Sequence, residues 1–401
     1  MGENGWLNEY LEAEMADIAA TGRLRLPRTV SAADGPRVIV DGRRIVSFCS
    51  NDYLGLAGEP SIRRAASAAV EAFGAGATAS RLISGTHASH LELERRFARC
   101  LGYPAGLCFG SGYHANLGLL GALAGDDSVV YSDAANHASI IDGIRLSKAA
   151  KRIYRHRDAA HLAELLEGDR TTSRRIIVTE SLFSMDGDVA PLAELAELAR
   201  RYGAALLVDE AHAFGTVGDA GRGLVHELGL QKAVDAVVVT CGKALGSYGA
   251  VVVGSERLRA FLVNRSRTFI FTTGLPAPSV AATIAALDFV ERGEVTRRLR
   301  ANVECFGRRL RERGFRDVRV TWPIVPIVIG SEEATMVASR RLWERGLWIQ
   351  GIRPPTVAPG TSRLRLTLSA GHHEVEIAAL VEALVEVLGI EAAIGSAEIV
   401  D

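Results

Sequence analysis

Short, almost uninterrupted apolar runs that alternate with helix-like stretches restrict the fold of this chain more than any other feature of its sequence. From about residue 105 these runs are AGLCF, SVVYS, RRIIVTES, AALLVDEA and DAVVVT, with segments such as LAELAELARRYG between them. Strands that are apolar on both faces belong to a mainly parallel sheet that helices cover on both sides. The pattern therefore predicts an α/β protein whose ligand site lies at the carboxyl ends of the strands.

The length of 401 residues favours a large domain with a smaller one packed against it. A helix is predicted over residues 5–22, and Asp41-Gly42 between two apolar runs predicts a hairpin. A helical pattern over 276–313 leads to strands near IVPIVIG and RLRLTLS and to a last helix over 373–388. The predicted division is an N-terminal helix and hairpin segment (1–50), a large domain (51–285), a C-terminal α+β domain (286–390) and a tail (391–401).

The charge balance argues against nucleic acid or an anionic membrane as a partner, because 46 Lys and Arg face 47 Asp and Glu. No apolar run reaches the roughly 18 residues that a membrane span needs. The cysteines are five, lie far apart and form no C-x-x-C pair, so neither a metal site nor a disulfide framework is predicted. We expect a cytoplasmic protein that acts on a small molecule.

An acid and a lysine follow two successive predicted strands. Asp209 ends AALLVD, and a carboxylate at a buried strand end needs a partner such as a protonated ring nitrogen or nearby backbone amides. Lys243 follows DAVVVT among small residues, where desolvation would lower its pKa toward nucleophilic use. A solvated loop lysine is the alternative, and a Walker A lysine is excluded because Val237 and Ala244 replace the required Gly and Ser or Thr.

A glycine-rich turn follows the strand AGLCF, where Gly110, Ser111 and Gly112 precede a helical run. Backbone N–H groups at such a turn, together with the helix N-terminus, suit a phosphate. The spelling G-x-G-x-x-A also matches a dinucleotide fingerprint, so a nicotinamide-dependent dehydrogenase is an alternative. That alternative leaves Lys243 and the segment from Asp209 to His212 without a role.

Three further strand ends carry polar residues. His137 follows SVVYS and could stack on a flat ring, although a lone histidine is more often structural. Ser184, in FSMDGD, could donate a hydrogen bond to a phenolic oxygen. Arg363 and Arg365 lie on one side of RLRLTL and could clamp a carboxylate, or form a solvated face, above all at Arg363.

Taken together, the motifs NDYLGL, SGYHAN, NHASIIDG, FSMDGD, VDEAHAFGTVGDAGRG, TCGKALGSYGA and IRPPTVAPGTSRLRLTLSAGHH resemble those of the α-oxoamine synthases. The resemblance covers nearly the whole chain in the family's order. It implies the fold of type I pyridoxal-phosphate (PLP) transferases, a large domain with a mainly parallel sheet and a smaller C-terminal α+β domain, in a homodimer.

The same resemblance assigns roles to individual residues. Lys243 would hold PLP as a Schiff base, Asp209 would pair with the pyridinium nitrogen, His212 would contact the phenolic oxygen, and His137 would stack on the ring and contact substrate. The other residues assigned to the cofactor are Ser111, Gly112, Tyr113, Ser184, Thr240 and, reaching the neighbouring subunit, Thr272 or Thr273. The residues assigned to the substrates are Arg365 and Asn51 for the amino-acid carboxylate and Arg23 and Thr356 for the acyl side.

The C-terminal motifs IRPPTV and GTSRLRLTLSA are most similar to the branch that condenses L-alanine with a pimeloyl thioester, on coenzyme A or a carrier protein, in biotin biosynthesis. The loop GAGATASRLISGTHASH instead has the R-x-x-x-G-T spelling of sister enzymes that use glycine or serine with another acyl-CoA. Cys241 stands where members of the family usually have a bulkier apolar residue. A noncatalytic partner subunit of such an enzyme would be expected to lack Lys243.

Overall fold

The computed structural model describes residues 5–169 and 174–389, so the predicted tail 391–401 lies outside the described residues. The strands are β1 (Val30–Asp34), β2 (Arg37–Val40), β3 (Arg43–Ser47), β4 (Ala105–Phe109), β5 (Ser128–Asp133), β6 (Ala150–Tyr154), β7 (Arg174–Glu180), β8 (Ala205–Asp209), β9 (Ala236–Thr240), β10 (Ala250–Gly254), β11 (Ile324–Gly330), β12 (Leu347–Trp348), β13 (Gln350–Ile352) and β14 (Ser362–Thr367). The helices are α1 (Gly5–Ala20), α2 (Pro60–Phe73), α3 (Ala88–Leu101), α4 (Gly112–Leu123), α5 (Ala138–Ser147), α6 (Ala159–Gly168), α7 (Leu192–Tyr202), α8 (Leu224–Glu227), α9 (Glu256–Arg265), α10 (Arg267–Ile270), α11 (Ala277–Arg292), α12 (Glu294–Glu312), α13 (Glu332–Glu344) and α14 (Glu374–Leu388).

The large sheet has seven strands in the order β4-β10-β9-β8-β7-β5-β6. The predicted apolar runs form β4, β5, β7, β8 and β9, and the mainly parallel sheet is confirmed. β10 runs antiparallel to both of its neighbours, β4 and β9. Neither β10 nor the edge strand β6 was predicted from the sequence.

Burial on both faces explains why the strand sequences are continuously apolar. Successive side chains of a strand point to opposite faces. On β9, Val237 and Val239 pack in one core cluster and Val238 packs in the other. Helices cover both clusters, for example α7 with Leu195 on the first and α4 with Leu119 on the second. Side-chain packing therefore leaves polar chemistry only to the strand ends.

The N-terminal hairpin forms at the predicted turn. Asp41 and Gly42 have φ angles of 50° and 76° between the antiparallel strands β2 and β3, as a two-residue turn with both φ angles positive requires. β12 from the C-terminal part of the chain pairs in parallel with β3. The N-terminal segment therefore shares a sheet with the C-terminal part.

The C-terminal part contains a three-stranded antiparallel sheet, β11-β14-β13, and ends in α14. The single helix predicted over 276–313 is wrong in one respect: Gly293, with a φ angle of 72°, ends α11 and separates it from α12. The expected domain boundary after residue 285 falls inside α11. Among the described residues, no helix is long and apolar enough to cross a membrane.

Candidate active site

Four polar residues lie where neighbouring parallel strands of the large sheet end. Asp133 ends β5, Glu180 ends β7, Asp209 ends β8 and Thr240 ends β9. Glu180 and Asp209 stand opposite each other in the β7–β8 ladder. The carboxyl edge of the sheet thus gathers three acids and a hydroxyl that the sequence places far apart.

Lys243 and His212 are in direct contact at this edge. Lys243 Nζ lies 2.7 Å from His212 Nε2. Burial lowers the pKa of Lys243, and the nearby Arg365 adds to this, although Asp209 and Glu180 oppose it. Burial also lowers the pKa of His212. Burial therefore disfavours the charged form of each group, and the alternative of a solvated loop lysine is wrong.

A hydrogen-bond chain connects this pair to Arg365. Tyr53 Oη lies 2.7 Å from His212 Nδ1 and 3.1 Å from Asn51 Oδ1, which also accepts a hydrogen bond from Arg365 Nη2 at 3.3 Å. One proton arrangement satisfies these contacts: His212 Nδ1–H donates to Tyr53, Tyr53 O–H donates to Asn51, and His212 Nε2 accepts from Lys243. Nothing in the sequence pattern pointed to Tyr53 beyond its place in NDYLGL.

Both arginines of β14 are buried, each with 7 % of its surface exposed. Arg365 Nε donates to the backbone oxygen of Ser184 at 2.6 Å, which leaves part of its guanidinium for another acceptor. Arg363 pairs with Asp186. The solvated face considered for Arg363 is therefore wrong, because its guanidinium is buried and paired with a carboxylate.

Asp209 is 6 % exposed and accepts two hydrogen bonds. Its Oδ2 accepts from Asn116 Nδ2 at 2.7 Å, and its Oδ1 accepts from the backbone N–H of Ala211 at 2.8 Å. Each carboxylate oxygen has two lone pairs, so acceptor capacity remains for a protonated ring nitrogen. Asn116, on α4, is a contact that the sequence did not predict.

His137 caps the N-terminus of α5 and is held by two different groups. Its backbone N–H donates to Glu180 Oε1 at 2.6 Å, and its Nδ1 accepts from the backbone N–H of Ser139 at 3.2 Å. Ser139 Oγ also accepts from Asn116 Nδ2 at 2.9 Å, which links the His137 turn to Asp209. Burial and the charge of Asp209 raise the pKa of Glu180. The contacts at Nδ1 and the backbone N–H hold the imidazole, and within the described residues its Nε2 has no hydrogen-bond partner.

The predicted phosphate turn lies at the N-terminus of α4. Ser111 caps this helix by accepting a hydrogen bond from the backbone N–H of His114 at 3.2 Å. A Cβ atom at Gly112 would lie 2.5 Å from Thr240 Cγ2, so the turn needs glycine there. Tyr113 is half-exposed, and its hydroxyl donates to Asp142. The turn, Asp209 and Lys243 together provide what the phosphate, ring nitrogen and aldehyde of PLP require.

The remaining predicted residues lie away from these contacts. Thr272 is half-buried, and the exposed Thr273 forms an isolated bridge with Ser80. Arg23 is exposed, and Thr356 lines a groove beside the N-terminal segment.

His156 forms a link that the sequence did not predict. Its Nδ1 lies 2.8 Å from Asp133 Oδ1 and its Nε2 lies 3.1 Å from Asp188 Oδ2. Burial opposes a charge on this ring, but the bonds to the two carboxylates outweigh it and raise the pKa of His156 to about 10. A protonated His156 therefore ties the strand end before His137 to the loop that carries Ser184.

Comparisons with known proteins agree with this geometry. A family model described as aminotransferase class I and II matches residues 43–384. The chain is 48 % identical to an 8-amino-7-oxononanoate synthase from Anaeromyxobacter dehalogenans over 382 residues, which cover 95 % of this chain and 96 % of that protein.

Two solved structures resemble the fold closely. A variant serine palmitoyltransferase from S. paucimobilis with a bound PLP–myriocin aldimine has a TM-score of 0.88 and 28 % identity, and the match covers 99 % of this chain and 100 % of that one. An 8-amino-7-oxononanoate synthase from Francisella tularensis has a TM-score of 0.74 and 28 % identity, with 88 % and 98 % covered. The family model spans most of the chain, and the protein belongs to the aminotransferase class I and II family.

Proposed function

We propose that the protein condenses L-alanine with a pimeloyl thioester and releases carbon dioxide, giving 8-amino-7-oxononanoate and free coenzyme A or carrier protein in biotin biosynthesis. The observation that carries the proposal is the hydrogen-bond chain from Arg365 through Asn51, Tyr53 and His212 to Lys243. It connects a group that can bind an amino-acid carboxylate with an amine that can react. The similarity to 8-amino-7-oxononanoate synthases supports the choice of substrates.

PLP is the cofactor, and when bound it supplies an aldehyde that condenses with amines and a ring that accepts electrons from the amino acid's α carbon. Asp209 would hold the proton on the ring nitrogen, and Asn116 and Ala211 keep that carboxylate in place. Ser111, Gly112, Tyr113 and Thr240 would hold the phosphate. The nicotinamide-dependent dehydrogenase does not fit the family to which the chain belongs.

Lys243 would remove the α-proton of alanine. Its lowered pKa leaves a share of the amine neutral near pH 7, as a base requires. His212 Nε2 accepts a hydrogen bond from Lys243 and so orients the amine, because Tyr53 holds the other ring nitrogen.

Arg365 would fix the alanine carboxylate with its unused guanidinium N–H groups, with Asn51 beside it. The carboxylate bound there is the group lost as carbon dioxide after the new C–C bond forms. His137 would stack on the cofactor ring and use its free Nε2 to stabilise the oxyanion that develops on the thioester carbonyl. Ser184 would contact the cofactor's phenolic oxygen, and Arg23 and Thr356 would line the acyl side.

The functional unit is proposed to be a homodimer in which Thr272 or Thr273 reaches the partner's cofactor. The surface of α1 supports this, because no residue of α1 is buried and the helix exposes Trp6, Tyr10 and Leu11. An exposed helix with such an apolar surface is typical of a protein–protein interface.

A sister synthase that uses glycine or serine with another acyl-CoA is the second candidate, and the close likeness to serine palmitoyltransferase favours it. The loop around Arg81 does not favour this second candidate. Arg81 is 8 % exposed and binds Glu94 at 2.9 Å and Cys108 Sγ at 2.6 Å, so its guanidinium serves loop packing. The R-x-x-x-G-T motif therefore does not indicate a substrate preference, because its arginine is used in loop packing.

The test is a product assay that crosses L-alanine, glycine and L-serine with pimeloyl-, acetyl-, succinyl- and palmitoyl-CoA and with pimeloyl carrier protein. We expect 8-amino-7-oxononanoate from alanine with a pimeloyl thioester and little product with the other acyl donors. Discrimination between alanine and glycine should be modest, because one methyl group contributes roughly 1 to 3 kcal/mol. Turnover only with another acyl-CoA would place the protein among the sister synthases.

A further inference from the structure

A groove of about 640 Å³ lies between residues 24–28 and the C-terminal strands and helix α13. It is rich in arginine and tryptophan: its wall contains Arg25, Arg28, Arg340, Arg353, Trp343 and Trp348. Among the described residues, no aspartate or glutamate lines it. The groove therefore combines a positive rim with flat apolar walls.

Most of this positive charge lacks a protein counter-charge. Arg28 lies 3.4 Å from Asp41, and its guanidinium stacks 3.8 Å from the centre of the Trp343 ring. Among the residues described, the Arg353 side chain donates only to a backbone oxygen, that of Leu24. The side chains of Arg25 and Arg340 have no hydrogen bond or ion pair in the part of the chain that the structure describes. Such a concave surface favours a ligand that carries a negative charge on an apolar body.

The groove begins one strand away from the candidate active site. Its wall includes β13, and Gln350 of this strand stands directly opposite Arg365 in the antiparallel β13–β14 ladder. Neighbouring strands are about 4.8 Å apart. Thr356, assigned to the acyl side, also lines the groove. The groove therefore adjoins the strand that carries Arg365, within reach of a ligand that extends past this arginine.

We propose that this groove binds the far end of the acyl donor, with the chain along Trp343 and Trp348 and the terminal carboxylate at Arg25 and Arg340. The inference rests on the proposed function and extends it, because it makes these arginines the selectors of an acyl group that ends in a carboxylate. An acyl donor of equal length without that carboxylate forms no ion pair with these arginines.

The first test compares pimeloyl-CoA with heptanoyl-CoA, which has the same seven carbons and no terminal carboxylate, at saturating L-alanine. Arg340→Ala and Arg25→Ala should each raise the KM for pimeloyl-CoA about ten-fold or more and leave the KM for heptanoyl-CoA unchanged. Arg341→Ala is the matched control, since this exposed arginine follows Arg340 on α13 and does not line the groove. Equal KM increases for both donors would overturn the proposal.

The second test needs no turnover. Free pimelate titrated into the holoenzyme should change tryptophan fluorescence saturably through Trp343 and Trp348, and heptanoate should not. The double variant Arg25→Ala/Arg340→Ala should lose the response, while Arg341→Ala should keep it. A fluorescence response that survives in the double variant, or no response in the unmodified protein, contradicts binding of the carboxylate in the groove. Failure of the product assay despite a normal pimelate response would instead contradict the proposed reaction.

Discussion

Gly112 begins α4 against the side chain of Thr240, and replacing it by alanine tests the geometry of the proposed phosphate turn. The added Cβ would lie 2.5 Å from Thr240 Cγ2, a separation that real Cβ atoms do not tolerate. Threonine is stiff at χ1, so either the helix N-terminus or β9 must shift. Overpacking of this kind costs about 1 to 3 kcal/mol. In an equilibrium constant this is a factor of about 5 to 150.

Thr240→Ser supplies the matching rescue. The next atom that the Gly112→Ala side chain meets is Thr240 Cβ at 3.9 Å, an ordinary contact, and serine lacks the clashing methyl group but keeps the hydroxyl. Gly121→Ala is the control on the same helix, because no atom lies within 4 Å of a Cβ there.

The assays are urea unfolding of the apoenzyme and titration of PLP binding by absorbance. Gly112→Ala should lose stability, PLP affinity or both by the stated amount, and the double variant with Thr240→Ser should recover most of it. Gly121→Ala should lower neither the stability nor the PLP affinity. A Gly112→Ala protein as stable and as tight for PLP as the original, or a failed rescue, would refute the geometry.

Three further changes test the rest of the site. Tyr53→Phe removes the hydroxyl 2.7 Å from His212 Nδ1, and steady-state kinetics should show kcat falling about ten-fold at unchanged PLP content. An unaltered kcat would exclude a role in catalysis for the hydrogen-bond chain. Asp209→Asn cannot hold a ring proton, so exchange of the alanine α-proton with solvent, followed by NMR, should fall by several orders of magnitude, and near-normal exchange would contradict the role. His156→Gln should destabilise the protein most below about pH 6.5 and progressively less as the pH rises through about 10. The reason is that a folded-state pKa raised from 6.5 to about 10 favours the protonated folded form. A stability difference in urea unfolding that is constant from pH 6 to 10 would refute the charged link.

Local sequence signals predicted the elements that depend on local chemistry. Asp41-Gly42 predicted the hairpin because few residue pairs adopt two positive φ angles. The apolar runs predicted the central strands because both faces of β9 and its neighbours are buried. Asp209 and Lys243 stood out because each is a charged residue at the end of such a run.

What the sequence did not predict depends on contacts between distant segments. Tyr53 meets His212 across 159 positions and Asn116 meets Asp209 across 93, and no periodicity reports such pairs. Gly293 breaks the predicted long helix, although the apolar pattern continues through it. Arg363 looked solvated because its partner, Asp186, lies 177 positions away.

The central claim is that Lys243 holds PLP, and reductive trapping followed by peptide mass spectrometry tests it most directly. Borohydride treatment of the holoenzyme should fix one PLP per chain on the peptide that contains Lys243, and Lys243→Ala should abolish the adduct. Recovery of the PLP label on Lys148 or Lys232, or an undiminished adduct in Lys243→Ala, would contradict the claim.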